Sequence, residues 1–446
     1  MKKLYFPILF LAFFSIFLAH YFVSGQAVYG DGIGYYAYLH SWYFDADADF
    51  TNEYKHIYNQ ENNNSQDPQT AEVVQIVGTN ATGQALNHFS PGMAILLLPF
   101  YVLADGIVII ANVLRASLAR SGYSDVYQIM TGMGAILYVV ISMWLSERIL
   151  QRCKLSHFIS RVAVFLLFFA TCLLYYGSFD VLNSHFASYF LSVLFLYHFF
   201  TLRKIPQLKQ YFFLGCIAGL LGLTRPQDAL IGIVVLLDIW RRVKRGDVSW
   251  PQAARRLMLF VFPAVIIFAL LVFQWITTFD TFDTHPYFLW MNSTSEHGPS
   301  FDFFGSLFHP SNGLLTRTPI VFVALVFFFY LVKKRKTTYI LQLLFVFFCL
   351  QFVLISLQGG WSAAAYGGRM YISSLPFFLL LLAMLLSWLR QKFGKHMLFL
   401  VMSFFVCLNV LSIASFVLFE KGVNGGRQVL QFLLKSEITA KNTQGG

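Results

Sequence analysis

The chain reads as an all-α polytopic membrane protein with about 11 transmembrane helices, and three observations predict it. Only 12% of its 446 residues are charged and 57% are hydrophobic, against roughly 25% charge in a water-soluble domain. Apolar runs close to the ~20 residues that cross a bilayer recur along nearly the whole length. Lys and Arg gather in short connections between those runs, which is the positive-inside pattern. The net charge of +11 therefore reflects loop placement, and no basic face for nucleic acid is indicated. Cys153, Cys172, Cys216, Cys349 and Cys407 lie in or beside apolar segments, which excludes a disulfide framework or zinc motif.

The first element is the run from Leu4 to Val23 behind Lys2 and Lys3. It is about twice as long as a signal-peptide core and no A-x-A site follows, so it reads as an uncleaved helix running outward from a cytoplasmic N-terminus. Residues 24–126 then form a long first outer loop with juxtamembrane helices. Further helices are expected at 127–147, 157–176, 184–202, 211–224, 229–240, 257–277, 319–332, 339–356, 371–389 and 397–418, with a second outer loop at 278–318. The segment 92–114 is apolar enough to cross but contains Pro99, Asp105 and Gly106. If it crossed, every later basic loop would be exported. Kept on the outer side, as a re-entrant or interfacial helix pair, it leaves 22 of the 32 Lys and Arg inside and 18 of the 21 acids outside. Irregular backbone at membrane depth is tolerated only against protein or a cavity, which sets this segment against the first loop. No internal repeat of the transporter kind is evident. Residues 1–418 thus form one transmembrane domain, and 419–446 an outward tail.

This topology puts the unusual polar motifs on one side. GDGIGYYAYLHSWYFDADADF, residues 30–50, carries Asp31 between two glycines, then aromatic residues at helical spacing. Asp31 is either an N-cap or a proton acceptor at the membrane boundary. Asp45, Asp47 and Asp49 alternate with alanine. On an extended strand they would share a face suited to a divalent cation; otherwise they form a solvated turn. His88, in NHFSPG, can donate to a phosphate or shuttle a proton, or simply be bonded at the interface. Arg225, in LTRPQD, and Arg369, in GGWSAAAYGGRM, sit against the inside bias of positive charge. A guanidinium at the boundary either binds phosphate through its planar fork or snorkels to headgroups. Asp180 and His185 flank the start of the helix from 184. In the 278–318 loop, Asp280, Asp283 and His285 have no specific metal spacing, and Phe282, Tyr287, Phe288 and Trp290 suit a lid.

Over most of residues 1–390, these motifs resemble the GT-C superfamily of membrane glycosyltransferases, particularly glycosyltransferase family 39 and RgtA/B/C/D-like enzymes. That group is similar to the protein O-mannosyltransferases and the lipid A aminoarabinose transferase. The resemblance rests on GDGIGYY, on NHFSPG before a half-apolar segment, and on WSAAAYGGRMYISSLPF, which is similar to a Gly-Trp…Tyr-Gly-x-Arg-Tyr element. It implies inverting transfer from a polyprenyl-phosphate sugar to an envelope acceptor on the periplasmic face of a bacterial inner membrane. Asp31 would be the general base, and Arg369 and Arg225 would hold the donor phosphate. Asp47, Asp49, His88, Asp180, His185 and Tyr366 are candidate acid, metal or acceptor contacts, and a divalent cation is an open option. Where relatives carry two adjacent acids, this chain has Asp31-Gly32. The competing readings are a flippase for a lipid-linked glycan and an O-antigen ligase or polymerase. A flippase would need charged groups along a transmembrane path, whereas here they sit at helix ends.

Overall fold

Backbone N–H and C=O groups in an apolar layer must be satisfied internally, and helices do this within one segment. In the computed structural model the regular elements are accordingly all helices, with no strand among the described residues. Those residues are 4–58, 80, 83–204, 207–279, 302–358, 360–362 and 365–419. The lid aromatics, Asp280, Asp283 and His285, and the tail from 420 onward fall outside them.

The elements are α1 (Tyr5–Ser24), α2 (Gly32–His40), a π turn (Ser41–Asp45), α3 (Thr51–Tyr58), α4 (Gly92–Val113), α5 (Asp125–Arg152), α6 (His157–Phe169), α7 (Leu173–Ser178), α8 (Ser184–Lys204) and α9 (Leu208–Thr224). A 3-10 turn (Pro226–Gly232) leads to α10 (Ile233–Lys244), α11 (Trp250–Phe279), α12 (Phe303–Phe308), α13 (Leu314–Arg317), α14 (Pro319–Lys333) and α15 (Tyr339–Gln358). After two further 3-10 turns (Gly360–Ser362 and Arg369–Ser374) comes α16 (Leu375–Phe419). Among the described residues, seven helical segments are long and apolar enough to cross a membrane, and α6, α9 and α14 are shorter apolar helices. The chain is thus an all-helical protein built for a membrane.

α16 is two legs. Gly394 leaves helical geometry at φ 80°, ψ −178°. A straight helix would carry Asn409 about 50 Å from Leu375. Yet the Tyr366 hydroxyl donates to Asn409 Oδ1 at 2.9 Å, and the residues from 366 to 375 reach at most about 30 Å. The chain therefore folds back at Gly394. The two legs correspond to the helices expected at 371–389 and 397–418.

Three expectations need correction. Residues 92–114 form one continuous helix, α4, and not a helix pair; Pro99 lies inside it. α4 runs antiparallel to α5, with the Tyr138 hydroxyl donating to Leu96 O and the Tyr127 hydroxyl to Asp105. Asp105 does not break the helix because its buried carboxylate receives a two-pronged pair from Arg120 (2.8 and 2.9 Å) and the Tyr43 hydroxyl. The helix expected over 157–176 divides into α6 and α7. The segment from 229 begins as a 3-10 turn before α10.

Candidate active site

Four of the sequence motifs owe their conformation to glycine and proline. Asp31 precedes α2 at the N-cap position, yet its side chain makes no capping bond and is exposed. The first turn of α2 instead serves close packing. A Cβ on Gly32 would lie 2.9 Å from the Leu182 carbonyl oxygen, and one on Gly34 would lie 2.0 Å from the Phe89 ring. These two contacts bring the Asp180 and His88 loops against Asp31. Asn87, fully buried, locks the second contact by donating to Gly34 O at 2.9 Å and accepting from Phe89 N–H at 3.1 Å. Tyr38 donates to Phe89 O at 2.6 Å, and Gln274 of α11 donates to Asn87 O at 3.1 Å. Gly92, starting α4, fits directly on Thr224 at the end of α9.

Thr224 ends α9 because Pro226 disfavours the helical region for the residue before it. Arg225 accordingly adopts φ −149°, ψ 113°, in extended conformation. Its buried guanidinium donates to His185 Nδ1 at 2.6 Å, and a second nitrogen lies 2.6 Å from Met370 Sδ. Arg369, also buried, opens a 3-10 turn behind Gly367 (φ 66°) and not the helix expected from Tyr371.

A cavity of about 90 Å³ results, lined by Asp31, Tyr35, His88, Arg225, His185 and Arg369 together with neighbouring residues such as Gln227 and Gln358. Five segments distant in the chain supply one acid, two imidazoles and two guanidiniums. A larger open groove at the end of α5, lined by Trp144, Arg148, Arg152 and Lys154, contains no acid.

Asp180 does not line the cavity but is close enough to sense Asp31 and Arg369, and protonation there and in the cavity follows from burial and neighbours. Burial pushes His88 down to about 4, with Asp31 pulling the other way, so its imidazole is neutral. Burial pushes Asp180 up to about 7, and the charge of Asp31 adds to this while Asn183 and Arg369 oppose it. A guanidinium only donates, so His185 Nδ1 must accept, and the neutral ring carries its proton on Nε2. That nitrogen is buried with no hydrogen-bond partner among the described residues. An unpaired buried donor is costly, and beside the cavity it is a ready contact for an anionic oxygen.

Other expected residues lie elsewhere. Asp47 accepts from the Ser41 hydroxyl at 3.0 Å and from Asp49 N–H, and Asp49 accepts from Thr51 N–H and hydroxyl. Both carboxylates stabilise turns. Asp45, Asp47 and Asp49 share no strand face, because a π turn and a left-handed Ala46 (φ 57°) intervene. Tyr366 is fully buried, bonded to Asn409, and packs on Tyr175 and Phe416 away from the cavity. Sequence reasoning missed Tyr35, whose hydroxyl accepts from Ser184 at 2.8 Å, as well as Gln227, Gln358 and Met370. Tyr35, Gln227 and Met370 stood within the GDGIGYY, LTRPQD and GGWSAAAYGGRM motifs, whereas Gln358 lay outside all of them and had no local signal.

Fold and cavity together define the class: an all-helical membrane protein with a polar site in which an acid faces two buried guanidiniums. No family model matches the chain, and neither a curated protein nor a solved structure does.

The Gly34 contact yields a direct prediction. Gly34→Ala should overpack the Phe89 ring, lowering stability by about 1–3 kcal/mol and displacing His88 from Asp31. Replacing Phe89 by Leu in the same chain should recover much of the loss, read as Tm in detergent. Additive losses in the double variant would refute the contact.

Proposed function

We propose that this chain is an integral-membrane glycosyltransferase that moves a sugar from a polyprenyl-phosphate donor to an envelope acceptor, with inversion, on the outer face of the bacterial inner membrane. The observation that carries this reading is the meeting of Asp31 with Arg225, Arg369, His88 and His185 in one cavity. The eleven-span topology that goes with it keeps α4 on the outer side. The N-terminus is then cytoplasmic.

Asp31 takes the proton of an acceptor hydroxyl as that oxygen attacks the anomeric carbon. The bond from that carbon to the phosphate oxygen breaks, and its electron pair leaves with the lipid phosphate. General base catalysis of this kind is worth about 10²–10⁴-fold. Arg369, Arg225 and the Nε2–H of His185 oppose the growing phosphate charge from fixed positions. Direct displacement needs no covalent intermediate.

The test is mass spectrometry of envelope glycolipids from a deletion strain and from strains complemented with the wild-type chain or Asp31→Asn. Loss of one monosaccharide, restored only by wild type, supports the reading. Loss of a whole glycan chain would favour a ligase or polymerase. Transbilayer movement of a lipid-linked glycan by the purified protein, with no new glycosidic bond, would favour a flippase.

Asp180 adds a pH signature. A sugar phosphodiester keeps one charge across neutral pH, so any change in its binding near 7 comes from the protein. Asp180 is neutral below about 7 and anionic above it. Its negative charge then opposes the donor phosphate. Donor KM should rise about 3- to 10-fold between pH 6 and 8, of order one pKa unit of interaction, and should stay flat in Asp180→Asn. An unchanged rise in that variant would assign the titration elsewhere.

A further inference from the structure

At the far end of α2, about 13 Å of helix away from Asp31, lies a second polar cluster that the transfer chemistry does not use. His40 Nδ1 is 3.0 Å from Glu53 Oε1 and 3.1 Å from Asp45 Oδ2. One ligand atom from each of the three residues falls within 4.8 Å of the others. The π turn from Ser41 to Asp45 is what swings Asp45 back over His40. The imidazole is held between two rings, Tyr123 at 4.6 Å and Phe44 at 5.1 Å. Gly122 closes against it so tightly that a Cβ there would meet His40 Cδ2 at 2.7 Å.

The donors do not balance the acceptors. Asn52 donates to Asp45 Oδ2 at 2.8 Å, and a single His40 N–H must be divided between two carboxylates. Glu53 is fully buried, and its Oε2 has no hydrogen-bond partner among the described residues. A buried carboxylate left in that state is strongly disfavoured unless positive charge is supplied, by a bound cation or by a proton that it keeps. The spacing says what kind. Ligands about 2.1 Å from a metal and at right angles to one another are separated by about 3.0 Å, as the His40 nitrogen is from both carboxylates. One imidazole nitrogen with two carboxylate oxygens suits first-row transition ions better than Mg²⁺ or Ca²⁺, which prefer oxygen alone. The C-terminal end of α2 adds partial negative charge.

We infer that His40, Asp45 and Glu53 bind one divalent transition cation of the Zn²⁺ or Mn²⁺ type, which fastens α3 to the end of α2. On binding, His40 Nδ1 gives up its proton and becomes a ligand, and water completes the coordination. The ion is structural. It sets the first outer loop against the Gly122 turn and takes no part at the Asp31 cavity, so the inference does not depend on the function proposed above.

The test uses full-length, tag-free protein in detergent, stripped with chelator and titrated calorimetrically with Zn²⁺, Mn²⁺ or Mg²⁺ alone. Wild type should take up one equivalent of Zn²⁺ or Mn²⁺ and gain thermal stability, with Mg²⁺ at least tenfold weaker. Glu53→Gln should weaken uptake at least tenfold and abolish the Tm gain. If Glu53→Gln does not fold, Asp45→Asn, at the rim of the cluster, must show the same weakening. Asp49→Asn, whose carboxylate caps a turn nearby, should bind normally. No saturable uptake, a preference for Mg²⁺, or uptake undiminished in the folded Glu53 or Asp45 variant would overturn the site.

Discussion

Asp31→Asn is expected to lower the rate of sugar transfer by about 10²–10⁴-fold, with little change in donor KM and none in the fold. The stability half of this expectation comes from geometry. Asp31 is exposed, and although it stands at the N-cap position of α2 its side chain caps nothing. Substitutions at such positions usually change stability by less than about 0.5 kcal/mol. Asparagine keeps the size and the polar character, so the Gly32 and Gly34 packing beneath it is undisturbed. Only the capacity to accept a proton is removed. Asp31→Glu keeps that capacity but displaces it by one methylene, and misplacement on the ångström scale is itself costly. The glutamate variant should therefore fall between wild type and asparagine. Single-turnover kinetics with purified donor, alongside Tm in the same detergent, separates the cases. Unimpaired turnover in a folded Asp31→Asn protein would eliminate the residue as base.

Much of this arrangement was readable from the chain, and the unreadable part has a physical boundary. Apolar runs locate helices because each must satisfy its own backbone in a medium without water. They carry little information about contacts between helices, where any large apolar side chain serves. The cavity was legible where local chemistry is unusual. Pro226 after Arg225, the glycines around Asp31 and the Gly367–Gly368 pair before Arg369 each announce backbone that leaves a helix for a purpose. Asn87, Tyr38 and Gln274 could not be found in this way, since their roles are hydrogen bonds to partners as far as 236 residues distant. Asp105 misled for the same reason. A carboxylate in an apolar run argues against a continuous helix only until its partners Arg120, Tyr43 and Tyr127 are known. The acids at 45, 47 and 49 misled differently. Alternation is the signature of a strand, but here a π turn takes the first of the three to His40 and leaves the others to stabilise turns.

The two guanidiniums predict different phenotypes, although composition treats them alike. Arg225 is committed to His185 Nδ1 and Met370. It fixes the tautomer that leaves His185 Nε2 as a donor, so Arg225→Lys should act on positioning and stability together. Arg369 borders the same cavity, and its charge is felt by Asp180 and Cys172. If it meets the departing phosphate, losing it should reduce kcat/KM by about 10²–10³-fold, the cost of removing one fixed partner of a developing oxyanion. Arg369→Lys should recover little, because an ammonium keeps the charge but lacks the fork that grips two phosphate oxygens. A purely structural arginine would show loss of Tm in step with loss of rate. A phosphate-binding one should show most of the rate loss at nearly constant Tm, and added guanidinium should restore part of the activity of Arg369→Ala. If that variant is stable and as active as wild type, the leaving group is stabilised without Arg369. The roles then reverse, with Arg225 and the Nε2–H of His185 as the remaining donors on that side of the cavity.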